Sequence, residues 1–550
     1  MPVDVSAIRE DFPILDRQVN GEPLTYLDNA ATTQTPRQVY EVYEEFYEGY
    51  NANVHRGIHA LSHEASVAYE EAHDRLAEFV GASGGREEMV FTKNTTEGIN
   101  VVAYGLLDEL GPDDEVVLTE MEHHASLVTW QQVAETAGAD VRYIEVAEDG
   151  RLDLEHAKEV IGPETAVVSV AHVSNVLGTV NPVETLAELA HDAGAYILVD
   201  GAQSAPTRPV DVEAMDADFF AFSGHKMAGP TGVGGLYGKR DLLEELAPLC
   251  YGGEMISHVT FDEAAWNDLP WKFEAGTPPI AEGIALAAAA DYLDDVGMDE
   301  VRAHENELAQ YALERLDSRD DVETYGPPAG VERTGLVAFN VEGVHGHDLS
   351  SVLNDRGIAV RAGDHCTQPL HDVLDLPGSV RASFYVYNTK AEVDRLLDAL
   401  DGGDAFDDAR AQVEAYLSSD RYHDRVYEHH RDPKNAGGLA DPTFSKHSEE
   451  TTCGDEGEFH LDVSPDGTIE RVAFESESCA VSRAVADLLA GHLEGQSLDA
   501  AADLDGWVVD ALDGRFPDLR RDCVVGPEEV LREAAQEYLE REPEGIAGDD

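Results

Sequence analysis

The chain has 550 residues, of which 111 are Asp or Glu and 37 are Lys or Arg, so its formal net charge at pH 7 is −74. This length indicates three or four domains of roughly 150 residues each. A hydrophobic content of 43% excludes a disordered acidic protein. So acidic a surface repels nucleic acid and anionic membranes, and we expect neither as a partner.

The composition also indicates the solvent to which the protein is adapted. Only eight of the basic residues are Lys, and molar salt screens repulsion between acidic side chains beyond roughly 3 Å. Many acidic residues with few lysines are typical of halophilic archaea, which we predict as the source, with an acidic mesophilic enzyme as the alternative. We predict a cytoplasmic protein, because residues 1–12 lack a basic segment followed by an apolar one and no apolar run reaches about 18 residues.

Between residues 85 and 240, seven short apolar runs alternate with helix-like stretches. Fully apolar runs separated by helices are typical of parallel strands covered on both faces. We therefore predict an α/β domain with a seven-stranded, mostly parallel sheet. The runs are 88–92, 115–119, 141–146, 166–173, 196–200, 218–223 and 234–238.

Beyond this domain the pattern changes twice. Residues 281–316 are helix-like, and residues 335–400 mix strands and helices, which predicts a smaller α+β domain. After the Gly- and Asp-rich stretch 401–408 the pattern restarts with a hairpin signal at SPDGT (464–468) and an amphipathic last helix. The predicted boundaries are 20–295 for the large domain, 1–19 with 296–402 for the small domain, 403–415 for a linker and 416–545 for a C-terminal α+β domain.

Several polar residues lie where the predicted strands end. Lys226 follows an apolar run and is a candidate to form a Schiff base. Asp200 ends the run YILVD at the carboxyl edge of the sheet, where open α/β folds bind ligands. It could pair with a protonated pyridine nitrogen or cap the next helix. Residues 94–100 (NTTEGIN) open a helix and could hold a phosphate, together with Ser223 and His225.

Together these motifs resemble the fold-type I pyridoxal-phosphate enzymes and, more narrowly, the cysteine desulfurases of the SufS type. The match extends over about 400 residues in order, and it implies conversion of L-cysteine to L-alanine with a persulfide left on a cysteine. The matching motifs are YLDNAATTQTP (26–36), NVHRGIHALS (53–62), EHHAS (122–126), SNVLGT (174–179), DGAQS (200–204), SGHK (223–226), FEAGTP (273–278), RAGDHCTQP (361–369) and RASFYVYNT (381–389).

The resemblance implies a role for each matching residue around the cofactor. Lys226 would hold pyridoxal phosphate covalently and move the substrate proton, while Asp200 would stabilise the pyridinium. The ring and phosphate contacts would come from His123, Gln203, Asn175, Thr95, Thr96, Ser223 and His225. Thr277 would reach the phosphate of a partner subunit, which implies a homodimer.

The same resemblance assigns the substrate pocket. Arg381 would clamp the substrate carboxylate, with Asn175 near it, and the pocket mouth would be lined by Arg361, His55 and Arg56. Cys366 would be the nucleophile and would act as a thiolate.

The surroundings of Cys366 contain one departure from the family. We expect His365 and Arg361 to supply a positive field beside its thiolate. The family usually has His where this chain has Asp364. We expect this added negative charge to raise the pKa of Cys366.

The C-terminal region contains three of the five cysteines, an odd number that argues against a disulfide framework. Three thiolates with one carboxylate suit a four-coordinate zinc or an iron–sulfur cluster, although the spacing alone is equally compatible with unrelated thiols. The motifs VYEHHRDPKNAGGL, CGDEGEF and SCAVS resemble the SufU and IscU scaffold family. This resemblance implies that the metal and sulfur site is formed by Cys453, Asp455, Cys479 and Cys523.

Two features of this region point in opposite directions. IscU scaffolds have His immediately before the last cysteine, where this chain has Asp522, and this favours a zinc-type sulfur acceptor. The 44-residue step from Cys479 to Cys523 is short, as in the scaffolds. In relatives with zinc-type acceptors, a desulfurase His displaces one thiolate from the metal, and His347 matches that position. Cys453 is the expected freed thiol.

The sequence therefore predicts a cysteine desulfurase fused to its own zinc-type sulfur acceptor, feeding iron–sulfur assembly scaffold proteins of the Suf system. Three alternatives stay open: a C-terminal scaffold that builds an iron–sulfur cluster, a selenocysteine lyase, and a C-terminal docking module with a structural metal. Whether sulfur moves within one chain or between the chains of a dimer is also left open.

Overall fold

The computed structural model describes residues 3–401, 409–450 and 455–541. Among the helices of the described residues, none combines the length and the apolar composition of a membrane span. Arg9 ties the first helix to the predicted small domain by donating to the carbonyl of Tyr387 at 2.7 Å and to Glu392 at 3.0 Å. The first elements are α1 (Val5–Arg9), β1 (Gln18–Val19), β2 (Glu22–Pro23), β3 (Thr25–Tyr26), α2 (Arg37–Glu45) and α3 (Ala60–Phe79).

The large domain is built on one seven-stranded sheet, and each of its strands overlaps one of the seven predicted apolar runs. The strands are β4 (Met89–Thr92), β5 (Glu115–Thr119), β6 (Asp140–Ile144), β7 (Thr165–Ala171), β8 (Tyr196–Asp200), β9 (Phe219–Ser223) and β10 (Gly234–Gly238). Their order is β4-β10-β9-β8-β7-β5-β6. Only β10 runs opposite to its neighbours, so the prediction of a mostly parallel sheet is confirmed.

Helices cover both faces of this sheet, as the apolar strands require. They are α4 (Thr95–Gly105), α5 (His124–Ala137), α6 (Leu154–Val160), α7 (Val183–Ala193) and α8 (Arg240–Glu245). A hairpin of β11 (Ile256–Val259) and β12 (Ala264–Trp266) follows. The helix-like stretch 281–316 is two helices, α9 (Ile280–Val296) and α10 (Met298–Leu316), because Gly297 breaks it in the left-handed region at φ 92°.

The smaller domain packs its helices on a four-stranded antiparallel sheet ordered β13-β14-β17-β16. Its elements are β13 (Val322–Tyr325), β14 (Leu336–Val341), α11 (Gly346–Asp355), β15 (Ile358–Ala359), β16 (Arg361–Gly363), α12 (Gln368–Val373), β17 (Ser379–Ser383) and α13 (Lys390–Leu400). Strand β16 leads directly into the segment that carries Cys366.

The C-terminal domain combines a three-stranded antiparallel sheet with helices. Its elements are α14 (Ala409–Leu417), α15 (Asp424–Arg431), β18 (Phe444–Glu450), β19 (Asp455–Val463), β20 (Ile469–Glu477), α16 (Ala480–Leu493), α17 (Leu498–Ala502), α18 (Trp507–Ala511) and α19 (Arg521–Arg541). The predicted hairpin is β19–β20. Cys523 lies inside the first turn of α19.

The C-terminal domain is packed against the small domain. Residues 409–415, which we predicted to be linker, belong to α14, and Gln412 there donates to the carbonyl of Ala399 at 2.8 Å. The other residues of the predicted linker, 403–408, lie outside the described residues. Val352 of α11 is buried in the same apolar cluster as the C-terminal helices, so this core extends across the domain boundary.

Candidate functional site

A cavity of about 200 Å³ opens at the carboxyl ends of the parallel strands. This is where an open α/β sheet binds its ligands, because successive loops diverge there. Its lining includes most of the predicted cofactor and substrate residues, namely Thr95, Thr96, His123, Asn175, Asp200, Gln203, Ser223, His225, Lys226, Arg361, Cys366 and Arg381. The structure thus brings together residues up to 286 positions apart in sequence.

Two ionisable groups that line this cavity lie at or just beyond the ends of strands. Asp200 is the last residue of β8, and Lys226 lies in the turn after β9. Burial lowers the pKa of Lys226 to about 8, although the negative charge of Asp200 acts in the opposite direction. Burial raises the pKa of Asp200, while a hydrogen bond from the amide of Ala202 and the charge of Lys226 oppose that rise. An amine with this lowered pKa is uncharged far more often at pH 7 than an ordinary lysine, which suits Schiff-base chemistry.

Two of the predicted phosphate ligands contact each other at the start of α4. The amide and the hydroxyl of Thr95 lie 2.9 and 2.7 Å from the hydroxyl of Ser223. Thr96 and His225 line the same end of the cavity. Burial, with a smaller effect of Lys226, lowers the pKa of His225 to about 4, so its ring is neutral at pH 7. Hydroxyls and amides at a helix N-terminus suit an anion.

The predicted ring contacts are also held in place. His123 caps α5 by accepting from the amide of Ala125 at 3.0 Å. Burial, with Lys226 as the next cause, lowers its pKa to about 3, so the ring is neutral. Gln203 donates to the carbonyl of Ala30 at 2.8 Å. Both side chains line the same cavity as Asp200 and Lys226.

Cys366 lies on a turn with unusual backbone geometry. His365 and Cys366 are consecutive non-glycine residues in the left-handed region, at φ 54° and 62°. Such a residue costs roughly 1–2 kcal/mol and needs support from its surroundings. Asn175 donates to the carbonyl of His365 at 2.9 Å, and the amide of His124 donates to the carbonyl of Cys366 at 2.9 Å. The large domain therefore fixes the turn that carries the thiol.

The groups around the Cys366 thiol differ in part from the expectation. Arg361 lies 4.0 Å from its sulfur, as a positive field requires. His365 does not supply such a field, and that expectation was wrong. Burial first, and then the charge of Arg381, lower the pKa of His365 well below its ordinary value, so the ring is neutral. Asp364 places a carboxylate oxygen 3.2 Å from the amide of Cys366.

Arg381 is 1% exposed and reaches the cavity from β17. One of its amino groups donates to the carbonyl of Asn175 at 2.9 Å, and the other lies 3.3 Å from Asp28. Burial lowers its pKa to about 10, which Asp28 opposes, so it stays charged at pH 7. A buried guanidinium at this position suits a carboxylate ligand.

Three predicted residues are not among those that line this cavity. The ring of His55 packs against Trp271 at 4.2 Å between centroids. Arg56 pairs with Glu254 at 3.1 Å and is exposed. Thr277 is exposed as well.

Glu122, which directly precedes His123, was not predicted as a site residue. It is 2% exposed and accepts from the hydroxyl of Thr119 at 2.7 Å and from the amide of Ala171 at 2.9 Å. Burial raises its pKa to about 8, against the hydrogen bond from Ala171, so it holds a proton at pH 7. A Glu directly before His123 was the available signal.

A second cluster lies where the C-terminal domain meets the small domain. The imidazole of His347 and the sulfurs of Cys479 and Cys523 offer ligand atoms within 4.8 Å of one another. Both cysteines are buried, and the His347 Nδ1 to Cys523 Sγ distance is 3.9 Å. Cys453 lies outside the described residues, and Asp455 is the first residue of β19. His347 was predicted only as a ligand that replaces a thiolate, but it already lies in one cluster with Cys479 and Cys523.

Cys523 also borders a cavity of about 220 Å³ between the C-terminal sheet and α19. Arg520, 3% exposed, lies one turn before it and contacts Asp348, the neighbour of His347. Burial alone would lower the pKa of Arg520. The negative charges of Cys479, Asp348 and Cys523 instead hold this pKa well above its ordinary value. Asp348 and Arg520 were not predicted from the sequence, although each lies within three residues of a predicted ligand.

Two family models match the chain. The aminotransferase class-V family matches residues 25–396, and the NifU-like N terminal domain matches residues 421–544. The two matches flank the predicted linker. The fold is therefore that of class-V aminotransferases, the fold-type I pyridoxal-phosphate architecture, followed by a NifU-like α+β domain.

The relatives found by sequence and by structure match the first part of the chain. A protein named cysteine desulfurase in Haloferax volcanii is 67% identical over 413 residues, covering 73% of this chain and 97% of that protein. A probable cysteine desulfurase from Halobacterium salinarum is 64% identical over 402 residues, covering 73% and 96%. The apo structure of a cysteine desulfurase from Thermococcus onnurineus has a TM-score of 0.69 at 41% identity, covering 73% and 98%.

Proposed function

Because the chain belongs to the aminotransferase class-V family and continues into a NifU-like domain, we propose that it is a pyridoxal-phosphate-dependent cysteine desulfurase that passes sulfur to its own C-terminal domain. The observation that carries this proposal is the lining of one cavity by Lys226, Asp200, Arg381 and Cys366. These residues supply a cofactor anchor, a partner for a pyridinium, a carboxylate clamp and a nucleophile.

The residues present fit pyridoxal phosphate. The cavity combines a buried, weakly basic Lys226 with a cup of hydroxyls at Thr95 and Ser223 and with the carboxylate of Asp200. Bound there, the cofactor supplies an electron sink for the bonds at the α carbon of the substrate. Neutral His123 and His225 add no positive charge to compete with that of the pyridinium.

In the proposed reaction, Arg381 holds the carboxylate of L-cysteine and Lys226 takes and returns substrate protons. The thiolate of Cys366 attacks the sulfur of the substrate. The carbon–sulfur bond of the substrate breaks and a sulfur–sulfur bond forms, so that the products are L-alanine and a persulfide on Cys366. Arg361, 4.0 Å from the Cys366 sulfur, stabilises the attacking anion.

The second step moves the terminal sulfur to a thiol of the C-terminal domain. The donor thiol is released and the acceptor thiol becomes a persulfide, so atoms and electrons balance without a further reagent. Gly346 lies so close to β16 that a Cβ atom at this position would be 3.4 Å from the Cβ atom of Ala362. The start of α11, which carries His347, therefore packs on β16, which leads to Cys366. Sulfur recipients beyond this chain would be iron–sulfur scaffold proteins of the Suf system.

We assign zinc to the cluster of His347, Cys479 and Cys523, with Asp455 or Cys453 as the fourth ligand. One imidazole and two thiolates suit tetrahedral zinc, whereas iron–sulfur clusters are mostly held by four thiolates. The alternative is that the C-terminal domain is a scaffold on which an iron–sulfur cluster is built, and the NifU-like match favours this alternative.

The proposed active form is a homodimer. Ile58 and Phe261 are fully exposed apolar side chains, and Leu61 is 43% exposed. They lie near His55 and on the hairpin β11–β12, and an adjacent subunit would cover them. The second subunit would bring Thr277, His55 and Arg56 to the cavity of its partner.

The test is a persulfide map after a single turnover. The chain, purified in concentrated KCl with its cofactor, is mixed with one equivalent of L-cysteine, alkylated at set times and analysed by peptide mass spectrometry. We expect alanine and a persulfide first on Cys366 and later on a C-terminal cysteine, with neither product in the Cys366→Ser variant. Alanine formation with free sulfide in that variant would refute the proposal. Activity confined to selenocysteine in that variant would identify a selenocysteine lyase.

A further inference from the structure

Asp348 is a buried carboxylate at the boundary between the small and C-terminal domains. It is 4% exposed and lies in the first turn of α11. One of its oxygens accepts from the amide of Ala480 at 2.8 Å, and the other accepts from the guanidinium of Arg520. Both donors belong to the C-terminal domain, so both oxygens of this carboxylate are used across the boundary.

The positions of these three residues relate them to the metal cluster. Asp348 directly follows His347, Ala480 directly follows Cys479, and Arg520 precedes Cys523 by three residues on the way into α19. One carboxylate therefore connects all three segments that carry the clustered ligands. No other pair of described residues that forms an ion pair across this boundary lies next to a ligand in this way.

The carboxylate of Asp348 finds its buried partners only when the C-terminal domain is docked on the small domain. Ala480 is the first residue of α16, so its amide has no partner within the helix and favours an anion. Arg520 and Asp348 are 4% and 5% exposed as side chains. Removing one partner of such a pair leaves an uncompensated buried charge, which costs far more than losing an exposed pair.

We propose that Asp348 is the docking residue that seats the C-terminal domain on the small domain and sets the spacing of His347, Cys479 and Cys523 before a metal binds. The partner of this surface is the C-terminal domain of the same chain. The proposal rests on the proposed metal site, but not on the proposed desulfurase activity. Asp348 acts through the positions of the ligands and is not itself a ligand.

The chain offers a matched control at the edge of the same boundary. Asp355, at the end of α11, pairs with Arg421 of the C-terminal domain. These side chains are 25% and 43% exposed, so solvent and salt screen the pair. Asp348→Asn and Asp355→Asn each remove one negative charge from the same helix, and only the first leaves a buried cation without its partner.

The experiment measures metal binding by the full chain. Zinc affinity is obtained by competition with a chelator, and the ligand field is read from the visible bands of the cobalt-substituted protein. We expect Asp348→Asn to weaken zinc binding at least about tenfold and to shift the cobalt bands as the imidazole ligand is lost. Asp355→Asn should stay within about twofold of the unchanged chain. The difference should persist in molar KCl, because a buried pair is screened little.

Zinc affinity and cobalt bands of Asp348→Asn equal to those of the unchanged chain would overturn the proposal. If that variant does not fold, the same measurements on Arg520→Lys decide, since Lys keeps the positive charge but lacks the planar guanidinium that donates to Asp348. Binding within twofold of the unchanged chain would then refute docking through this pair. Alanine formation by the unchanged chain with dithiothreitol tests the desulfurase proposal separately.

Discussion

The two thiol sites of this chain are built in opposite ways. Cys366 lies on a strained left-handed turn, is partly exposed to the cofactor cavity, and is held through backbone carbonyls and amides. Cys479 and Cys523 lie at the starts of α16 and α19, are buried, and face an imidazole from another domain.

This difference corresponds to the two tasks we propose. A nucleophile that meets a small substrate needs an open sulfur whose position is fixed by its backbone. A thiol that stores sulfur beside a metal needs shielding from water and a second domain that controls access. The cofactor cavity is also lined by neutral histidines, whereas the boundary site contains a buried charge pair.

The largest effects are expected when one thiol is removed from each site. Cys366→Ser should abolish alanine formation, by on the order of a thousandfold, and leave bound metal unchanged. Cys479→Ser should lose bound metal and still form one equivalent of alanine. Amino-acid analysis after a single turnover and elemental analysis of the same samples give both results. Loss of metal in Cys366→Ser would contradict the independence of the two sites.

The buried acid behind the cofactor gives the next largest effect. The pKa of Glu122 is about 8 instead of its ordinary value of 4.5. Folding therefore takes up a proton between these pH values, and the contribution of Glu122 to the free energy of unfolding falls as pH rises through that window. The total decrease in this contribution across the window is on the order of 5 kcal/mol.

The variant Glu122→Gln tests this directly, because Gln keeps the size of the protonated acid and cannot ionise. Relative to the unchanged chain, the free energy of unfolding of the variant should rise steadily from pH 4.5 to 8. Denaturant titrations in concentrated KCl at five pH values measure the difference. A constant difference across the window would show that Glu122 is ionised in the folded chain.

A pH profile of cofactor capture should reveal the lowered pKa of Lys226. Only an uncharged amine forms a Schiff base, so capture by the cofactor-free chain should reach half its maximum rate near pH 8, instead of near the ordinary value of 10.5. Borohydride reduction followed by peptide mapping measures the labelled fraction of Lys226 at each pH. The other lysines serve as internal references, and a midpoint near theirs would contradict the assignment.

The smallest expected effect concerns the contact between Asp364 and the turn that carries Cys366. Asp364→Ala removes the oxygen that accepts from the amide of Cys366, and should slow alanine formation about tenfold because the turn loses a contact. Asp364→Asn keeps that acceptor and should change the rate less than threefold. If the charge of Asp364 dominates instead, both variants will be faster than the unchanged chain.

Much of the fold could be predicted from the sequence because its signals are local. Continuous apolar runs predicted all seven strands of the large sheet, and the polar residues Asp200 and Ser223 that end β8 and β9 marked the cofactor cavity. The break at Gly297, strand β18 and the helical position of Cys523 were missed, since their patterns are short or ambiguous. The protonation state of His365 depends on burial, which no local pattern shows.

The boundary between domains was the hardest part to predict. Asp348 and Arg520 are 172 residues apart and contact each other only when both domains are folded and docked. His347 was identified through a resemblance, because its spacing from the cysteines in the sequence does not predict a shared metal site. A sequence pattern shows which residues share a helix or strand, whereas pairing across a domain boundary depends on the packing of complete domains.

We propose that the two domains share one metal site. Zinc-edge X-ray absorption of the chain, purified without oxygen or chelator in concentrated KCl, tests it most directly, with His347→Ala as the comparison. We predict about one zinc per chain, bound by sulfur and one imidazole, with the imidazole signal lost in the variant. Iron with acid-labile sulfide in place of zinc, or an unchanged spectrum in His347→Ala, would contradict the account.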